Sequence, residues 1–139
     1  MAGKIRVRAE ILDEMLCHAR RETCIECCGL LAGRDGVITA IFPATNSLAS
    51  PTRYEIAPRE LFQLFRTLRA ENLTHLGQYH SHLTTENVPS HTDIEQAGYP
   101  DEAYFIVSLR ADARKAVRAF YIRDGSVEEI EIIVAATEE

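Results

Sequence analysis

Two histidines, a serine and an aspartate lie close together near the middle of the chain. His80 and His82 end a mostly apolar stretch that is typical of a buried strand, and Ser90 and Asp93 follow them. On an extended strand, residues i and i+2 point to the same face, so the two imidazoles can approach one metal ion. If Asp93 lies in the first turn of a short helix, the loop before it can bring its carboxylate back as a third ligand.

Two imidazoles and one carboxylate leave one tetrahedral position of a metal ion open. This is the pattern of a catalytic zinc site, in which water takes the open position and its pKa falls to about 7. The alternative interpretation is that the histidines belong to a loop and that Asp93 only caps a helix.

A zinc hydrolase also needs a general base. Glu26 is a candidate because it begins an otherwise apolar strand, where an unpaired carboxylate is costly. The alternatives are that Glu26 is a solvated glutamate at a helix end, or that the base is Glu86 in the motif loop. We expect Glu86 to be exposed to solvent and therefore the weaker candidate.

The bulk composition predicts a single globular domain over residues 1–139. Apolar residues make up 46% of the chain and charged residues 26%, which is an ordinary balance for a folded domain. The formal net charge of −6 argues against a nucleic-acid-binding surface. No apolar run approaches the roughly 20 residues that span a bilayer, and the N-terminus lacks the apolar core of a signal peptide. We therefore expect a cytoplasmic protein that binds neither nucleic acid nor a membrane.

The four cysteines lie within twelve residues, which does not resemble a disulfide framework between distant parts of a secreted chain. Only one CxxC is present, whereas a structural zinc site needs a second pair of ligands. We expect small buried or half-buried thiols rather than a redox or metal site. These cysteines are Cys17, Cys24, Cys27 and Cys28.

The hydrophobic patterns predict an α+β fold with a mixed, mostly antiparallel sheet, two longer helices and one short helix. Helical periodicity covers residues 9–23 and 58–72, and the short helix follows Asp93. On the second helix, Leu61, Phe62, Phe65 and Leu68 form the expected apolar face, and His18 lies on the polar side of the first. The predicted strands are 4–8, 26–32, 37–43, 53–56, 73–79, 103–109, 116–123 and 127–134.

The residues of the candidate metal site and the candidate base resemble the signature of the JAMM (MPN+, Mov34/PAD-1) zinc metalloproteases, in the minimal prokaryotic form. The segment 26–33 is similar to the family's upstream glutamate segment, and the resemblance spans nearly the whole chain. It implies the curved sheet of the MPN/JAB fold, with a cytidine-deaminase-like layout. The motif residues that carry the resemblance are His80, Ser81, His82, Ser90 and Asp93, together with Glu26.

The resemblance also implies a role for each of these side chains. His80, His82 and Asp93 would bind Zn²⁺, Glu26 would be the general acid and base, and Ser90 would help to stabilise the oxyanion. With this set complete, the catalytically inactive branch of the fold is not expected.

Family members hydrolyse the peptide or isopeptide bond after the C-terminal glycine of ubiquitin or a ubiquitin-like protein. Some bacterial members release an amino acid such as cysteine from a small sulfur-carrier protein. The chain has little room for the insertions that grip two ubiquitins, so the resemblance favours a sulfur carrier or ubiquitin-like partner ending in Gly-Gly. The chain departs from the family at Leu83, where proline is usual.

Two other functional classes compete with this interpretation. One is a zinc-stabilised, non-catalytic module that binds a ubiquitin-like partner. The other is a zinc deaminase, but that signature needs HxE and PCxxC ligands, which this sequence lacks. The oligomeric state is left open, with a homodimer as one option.

Overall fold

A curved seven-stranded sheet and three helices make up the computed structural model, which describes residues 3–136. This confirms the α+β class with two longer helices and one short helix. Within the described range, no helix is long and apolar enough to cross a membrane. In chain order the elements are β1 (Lys4–Arg8), α1 (Ala9–Arg21), β2 (Cys28–Arg34), β3 (Val37–Ala44), α2 (Pro58–Ala70), β4 (Thr74–His82), α3 (His91–Gln96), β5 (Ala103–Ser108), β6 (Val117–Arg123) and β7 (Ser126–Ala135).

The strands follow the order β3-β2-β4-β5-β6-β7-β1 across the sheet. The β3–β2, β2–β4, β5–β6 and β6–β7 pairs are antiparallel, whereas β4–β5 and β7–β1 are parallel. β1 also pairs with β3 over two residues, so the curvature brings the ends of the sheet together. The mixed, mostly antiparallel sheet is therefore confirmed, and β4 lies inside it between β2 and β5.

The main core fills the space between α1 and the sheet. Ile11, Met15 and Ala19 form the buried stripe of α1 and pack with Phe105 and Val107 of β5. All six residues of β5 are buried, which confirms the prediction of a central strand covered on both faces. Burial of each large apolar side chain contributes about 1.5–3 kcal/mol, so this core fixes the sheet behind β4.

Both predicted hairpins are present, and each closes through a two-residue turn. Asp35 and Gly36 have φ angles of 54° and 76°, and Asp124 and Gly125 have φ angles of 49° and 80°. Positive φ at both central residues matches the right-handed twist of the strands, and Asp-Gly is suited to it. The first turn is narrower than the predicted reversal at 33–36, because β2 continues through Arg34.

The predicted strand at 53–56 is wrong. Residues 53–57 form no ladder with another strand. Instead, the Asn46 side chain bonds to backbone groups of Arg53 and Glu55. A side-chain amide thus replaces the neighbouring strand that the alternating pattern of this segment had suggested.

Two expectations about helix faces fail at one residue each. On α2, Leu68 is buried and Leu61 and Phe65 are half-buried, but Phe62 is 62% exposed. His18 is buried rather than solvated, since its Nδ1 atom lies 2.6 Å from the Tyr79 hydroxyl. This hydrogen bond connects α1 to β4.

We expect Gly29→Ala to destabilise the protein, because a Cβ atom at this position would lie 2.5 Å from the Tyr79 ring and 2.6 Å from the Phe42 carbonyl oxygen. Overpacking of this kind costs about 1–3 kcal/mol. Urea unfolding of the metal-free protein measures the loss. Gly98→Ala is the matched control, since nothing lies within 4 Å of its Cβ position. Equal stability of the two variants would contradict this packing argument.

Candidate metal centre

β4 delivers both histidines to one buried location. His80 and His82 are the last alternate residues of the strand and are 1% and 4% exposed. β4 is flanked by antiparallel β2 and parallel β5, so neighbouring strands cover both of its edges. The predicted placement of the two imidazoles on one face is confirmed.

Asp93 reaches the histidines from the first turn of α3. Ser90 is the N-cap of this helix: its Oγ accepts a hydrogen bond from the Asp93 amide at 3.0 Å. In return, the Ser90 amide donates to Asp93 Oδ2 at 2.9 Å. This reciprocal pair is a capping box, with aspartate in the place usually taken by Glu or Gln. Asp93 therefore caps a helix and also faces the histidines, which the sequence had presented as alternatives.

Three ligand atoms converge at the same point. His80 Nε2 and His82 Nε2 are 3.2 Å apart, and each lies 3.1 Å from Asp93 Oδ2. Ligands at zinc-like bond lengths of about 2.0 Å in a tetrahedron would be about 3.3 Å apart. The spacing thus fits one small metal ion with an open fourth position, and these residues could hold such an ion.

The two imidazole rings are oriented in different ways. His82 Nδ1 donates a hydrogen bond to the Glu86 carbonyl oxygen at 2.7 Å, which directs Nε2 towards Asp93. His80 Nδ1 has no hydrogen-bond partner among residues 3–136. Its ring is instead stacked on Tyr54, with the ring centroids 4.6 Å apart and an interplanar angle of 24°.

In the metal-free centre, burial and the neighbouring titratable groups shift the pKa values of the residues. Burial by itself lowers the pKa of His82, but hydrogen bonds with Asp93 and the Glu86 carbonyl outweigh this effect and raise it. Burial lowers the pKa of His80. Burial opposes ionisation of Asp93, yet hydrogen bonds from both histidines hold the pKa of Asp93 well below its ordinary value. Because the pKa of His82 is raised above 6.5, at lower pH the metal-free protein carries a proton on His82 that is donated to Asp93.

Glu26 lies just before β2 and is carried to the centre by strand pairing. Cys28 is the register partner of His80, and Cys27 and Ser81 continue this pairing through two hydrogen bonds. Extended by one more residue, this register would place Glu26 opposite His82, and the charges of both His82 and Asp93 act on its carboxyl group. Residues directly opposite on antiparallel strands share a face, so the carboxyl group lies on the side of the ligand atoms.

The Glu26 carboxyl group is buried without compensation. The residue is 3% exposed, and no hydrogen bond to Oε1 comes from the described part of the chain. Burial raises the pKa of Glu26 to about 8; the charge on His82 acts against this rise, and that on Asp93 adds to it. The expectation of a solvated helix-end glutamate is therefore excluded.

The structure separates Glu26 from the other candidate residues of the motif. The Glu86 side chain is exposed, as expected, and it is the backbone carbonyl of Glu86 that contacts a ligand histidine. His91 is exposed and pairs with Glu95. No sequence pattern indicated the contacts of the Glu86 carbonyl or the Tyr54 ring, because both contacts depend on how two loops fold.

The cysteines form no disulfide and contribute no ligand to this centre. Cys17 and Cys24 are exposed, whereas Cys27 and Cys28 are buried. Burial raises the pKa of Cys27 to about 11 and that of Cys28 to about 12, so both remain protonated thiols. The expectation of buried or half-buried thiols is therefore confirmed for Cys27 and Cys28 and wrong for Cys17 and Cys24.

Comparison with known proteins identifies relatives across most of the chain. The profile of Prok-JAB, described as prokaryotic homologs of the JAB domain, matches residues 8–123. The chain is 38% identical to a CysO-cysteine peptidase of Mycobacterium tuberculosis H37Rv, over 88% of this chain and 86% of that one. It is 33% identical to a desampylase of Haloferax volcanii, over 77% of this chain and 82% of that one.

A solved structure shares the fold and a substantial part of the sequence. The solution structure of protein DSY2949 from Desulfitobacterium hafniense superimposes with a TM-score of 0.86 and 35% identity. The match covers 97% of this chain and 95% of that one.

Metal binding should release about one proton per ion at pH 6 from His82, whose pKa is raised above 6.5 in the metal-free protein. Apparent metal affinity should then rise with pH until His82 is neutral. Calorimetry in buffers of different ionisation enthalpy measures the released proton. The Glu26→Gln variant is the protein to use, because Glu26 would otherwise contribute protons of its own. Binding without proton release at pH 6 would contradict the assignment.

Glu26→Gln should stabilise the metal-free protein at pH 8. The folded pKa of about 8 exceeds the ordinary value of 4.5, so the folded state binds more protons between these values. The contribution of Glu26 to stability is therefore greatest below pH 4.5 and is lost as the pH rises through 8, whereas glutamine has no such dependence.

The two proteins should thus differ little at pH 5, and at pH 8 the variant should be more stable by at least about 1.4 kcal/mol, the equivalent of one pKa unit. Urea unfolding at both pH values gives the comparison. Glu86→Gln, at an exposed glutamate, is the control and should show no such trend. A lower stability of Glu26→Gln at pH 8 would disprove the uncompensated burial of this carboxyl group.

Proposed function

Because the chain belongs to the prokaryotic JAB-domain family, we propose that it is a zinc-dependent hydrolase of the JAMM type. It cleaves the bond after the C-terminal Gly-Gly of a ubiquitin-like or sulfur-carrier protein. The product is either cysteine released from a carrier–cysteine adduct or a lysine freed from the carrier. The observation that supports this most directly is the convergence of three ligand atoms beside a buried, unpartnered carboxyl group. The names of the two relatives, a CysO-cysteine peptidase and a desampylase, agree with this substrate class.

His80 Nε2, His82 Nε2 and Asp93 Oδ2 would hold the zinc ion. Two nitrogen donors and one oxygen donor at mutual distances of 3.1–3.2 Å suit it in number, type and spacing. Zinc supplies Lewis-acid chemistry: it polarises the scissile carbonyl and makes water more acidic.

Glu26 is assigned the proton transfers. Its Oε1 atom takes the proton of the attacking water and passes it to the nitrogen of the leaving amine. Two structural features suit this role. The atom receives no hydrogen bond from the described residues that would compete for its lone pairs, and the residue is buried, so bulk water does not compete for the proton.

Ser90 is assigned the stabilisation of the oxyanion. Its Oγ accepts the Asp93 amide hydrogen, and this bond does not use the hydroxyl proton. The hydroxyl can therefore donate to the carbonyl oxygen of the scissile bond as negative charge develops there. The capping box holds Oγ beside Asp93, so the donor is in place before the substrate arrives.

The competing proposal is a zinc-stabilised module that binds the carrier without cleaving it. Such a module needs the three ligands but has no use for Glu26. A buried carboxyl group without a partner costs stability, and a binding module would gain by replacing it. The burial of Glu26 therefore favours the enzyme.

Glu26→Gln should lower turnover by about 10²–10⁴-fold, because positioned acid–base groups contribute rate factors of this size. Zinc content and affinity for the carrier should be unchanged. Mass spectrometry of carrier–cysteine and carrier–lysine conjugates, with and without a chelator, measures cleavage and separates the two products. Glu86→Gln should retain turnover within about threefold, as expected for an exposed side chain. If the zinc-loaded protein binds the carrier but cleaves neither conjugate, the non-catalytic module is the better description.

A further inference from the structure

One buried side-chain amide connects the two halves of the proposed site. Asn46 follows β3 and is only 5% exposed, although it lies in a segment without regular structure. We propose that Asn46 is a positioning residue that ties the backbone of Glu26 to the segment that presents Tyr54 to His80. This inference deepens the proposed function and, in its catalytic part, rests on it.

The first half of the connection fixes Glu26. Asn46 Nδ2 donates to the Glu26 carbonyl oxygen at 3.0 Å, and the Glu26 amide donates to the Ser50 carbonyl oxygen at 2.9 Å. Asn46 Nδ2 also lies 3.4 Å from that Ser50 oxygen. Both backbone groups of Glu26 are thus bound by the loop after β3, while the ladder of β2 and β4 begins only two residues later.

The second half fixes Tyr54. Asn46 Nδ2 donates to the Arg53 carbonyl oxygen at 2.9 Å, and Asn46 Oδ1 accepts from the Glu55 amide at 3.3 Å. These groups belong to the residues on either side of Tyr54. The segment forms no ladder with any strand, so Asn46 takes the place of a strand partner for the backbone that carries the tyrosine ring.

The tyrosine ring matters because His80 lacks a hydrogen bond with residues 3–136 at its second ring nitrogen. A metal-binding histidine is usually oriented by a hydrogen bond from its second ring nitrogen, as His82 is by the Glu86 carbonyl. His80 Nδ1 has no such bond among the described residues. The stacked Tyr54 ring is the contact that holds the plane of the His80 imidazole. Asn46 thus acts on the first ligand through Tyr54 and on the base through the Glu26 backbone.

The chemistry of this position calls for an amide. The Nδ2 group of Asn46 supplies hydrogens to carbonyl oxygens, while Oδ1 accepts from two backbone amides, those of Leu48 and Glu55. A carboxylate would place an oxygen, which cannot donate a hydrogen bond, against the carbonyl oxygens that Nδ2 now bonds. A serine side chain is too short to reach the carbonyl oxygens and the backbone amides at once. The competing description is that Asn46 only folds its own loop, as its bond to the Leu48 amide does.

A measurement of zinc affinity distinguishes these two descriptions of Asn46 and requires no substrate. Asn46→Ser should weaken zinc binding by about 10- to 100-fold, the usual effect of losing the support behind a ligand. Ser47→Ala is the matched control, since it removes one exposed hydrogen bond of the same loop, from Ser47 Oγ to the Glu55 carbonyl oxygen. It should bind zinc as the unsubstituted protein does. Unchanged zinc affinity in Asn46→Ser would overturn the inference, even if the enzyme is active.

Tyr54 provides a second test that leaves the Asn46 hydrogen bonds intact. Tyr54→Phe keeps the stacked ring and should bind zinc within about threefold of the original protein. Tyr54→Ala removes the ring and should weaken binding by about tenfold. Equal affinities of the two variants would overturn the link from Asn46 to His80.

The link to Glu26 is tested by a double-mutant cycle on turnover. Asn46→Ser should reduce turnover at saturating zinc by at least about tenfold when Glu26 is present, and by less than about threefold in the Glu26→Gln background. A loss by the same factor in both backgrounds would show that Asn46 does not act through Glu26. The zinc measurements need no conjugate, so reduced affinity supports the His80 link even if the proposed cleavage fails.

Discussion

The pairing of β2 with β4 is the constraint on which the candidate site depends. Cys28 lies opposite His80, and the two bonds between Cys27 and Ser81 extend that register towards Glu26. Because side chains alternate between the faces of a strand, a slip of one residue would turn the carboxyl group away from the ligand atoms. The apolar core behind β4 and β5 stabilises this register. The loops then adjust the orientation of side chains whose positions the register has set.

The centre gathers polar groups in a region from which the sheet excludes water. Most of them are compensated: the Ser90 cap holds Asp93, the Glu86 carbonyl holds His82, and a stacked ring holds His80. Glu26 Oε1 and His80 Nδ1 receive no hydrogen bond from the described residues, and the raised pKa of Glu26 records a burial cost that the charge on His82 offsets only in part. An uncompensated buried acid is a poor choice for stability and a good one for proton transfer, which is the usual conflict at catalytic sites.

The sequence predicted the parts of this protein that follow from local patterns. Spacing placed His80 and His82 on one face of a strand, and apolar content identified β5 as a central strand. The sequence could not reveal contacts that depend on tertiary folding. The alternation at 53–56 resembled a strand, yet its partner is the Asn46 side chain. The apolar stripe of α2 predicted burial, which is complete at Leu68 and partial at Leu61 and Phe65, whereas Phe62 stays in solvent.

Cys28 adds a consequence for the choice of metal. As the register partner of His80 it lies on the same face of the sheet, but its sulfur is not among the three atoms that converge. A thiolate among those atoms would make the centre soft and attract thiophilic ions such as cuprous copper. Burial keeps the sulfur protonated, since the pKa of Cys28 is raised to about 12. In the metal-free protein the sulfur is thus a neutral thiol, and the atoms that converge are two nitrogens and one oxygen, a set that does not favour soft ions.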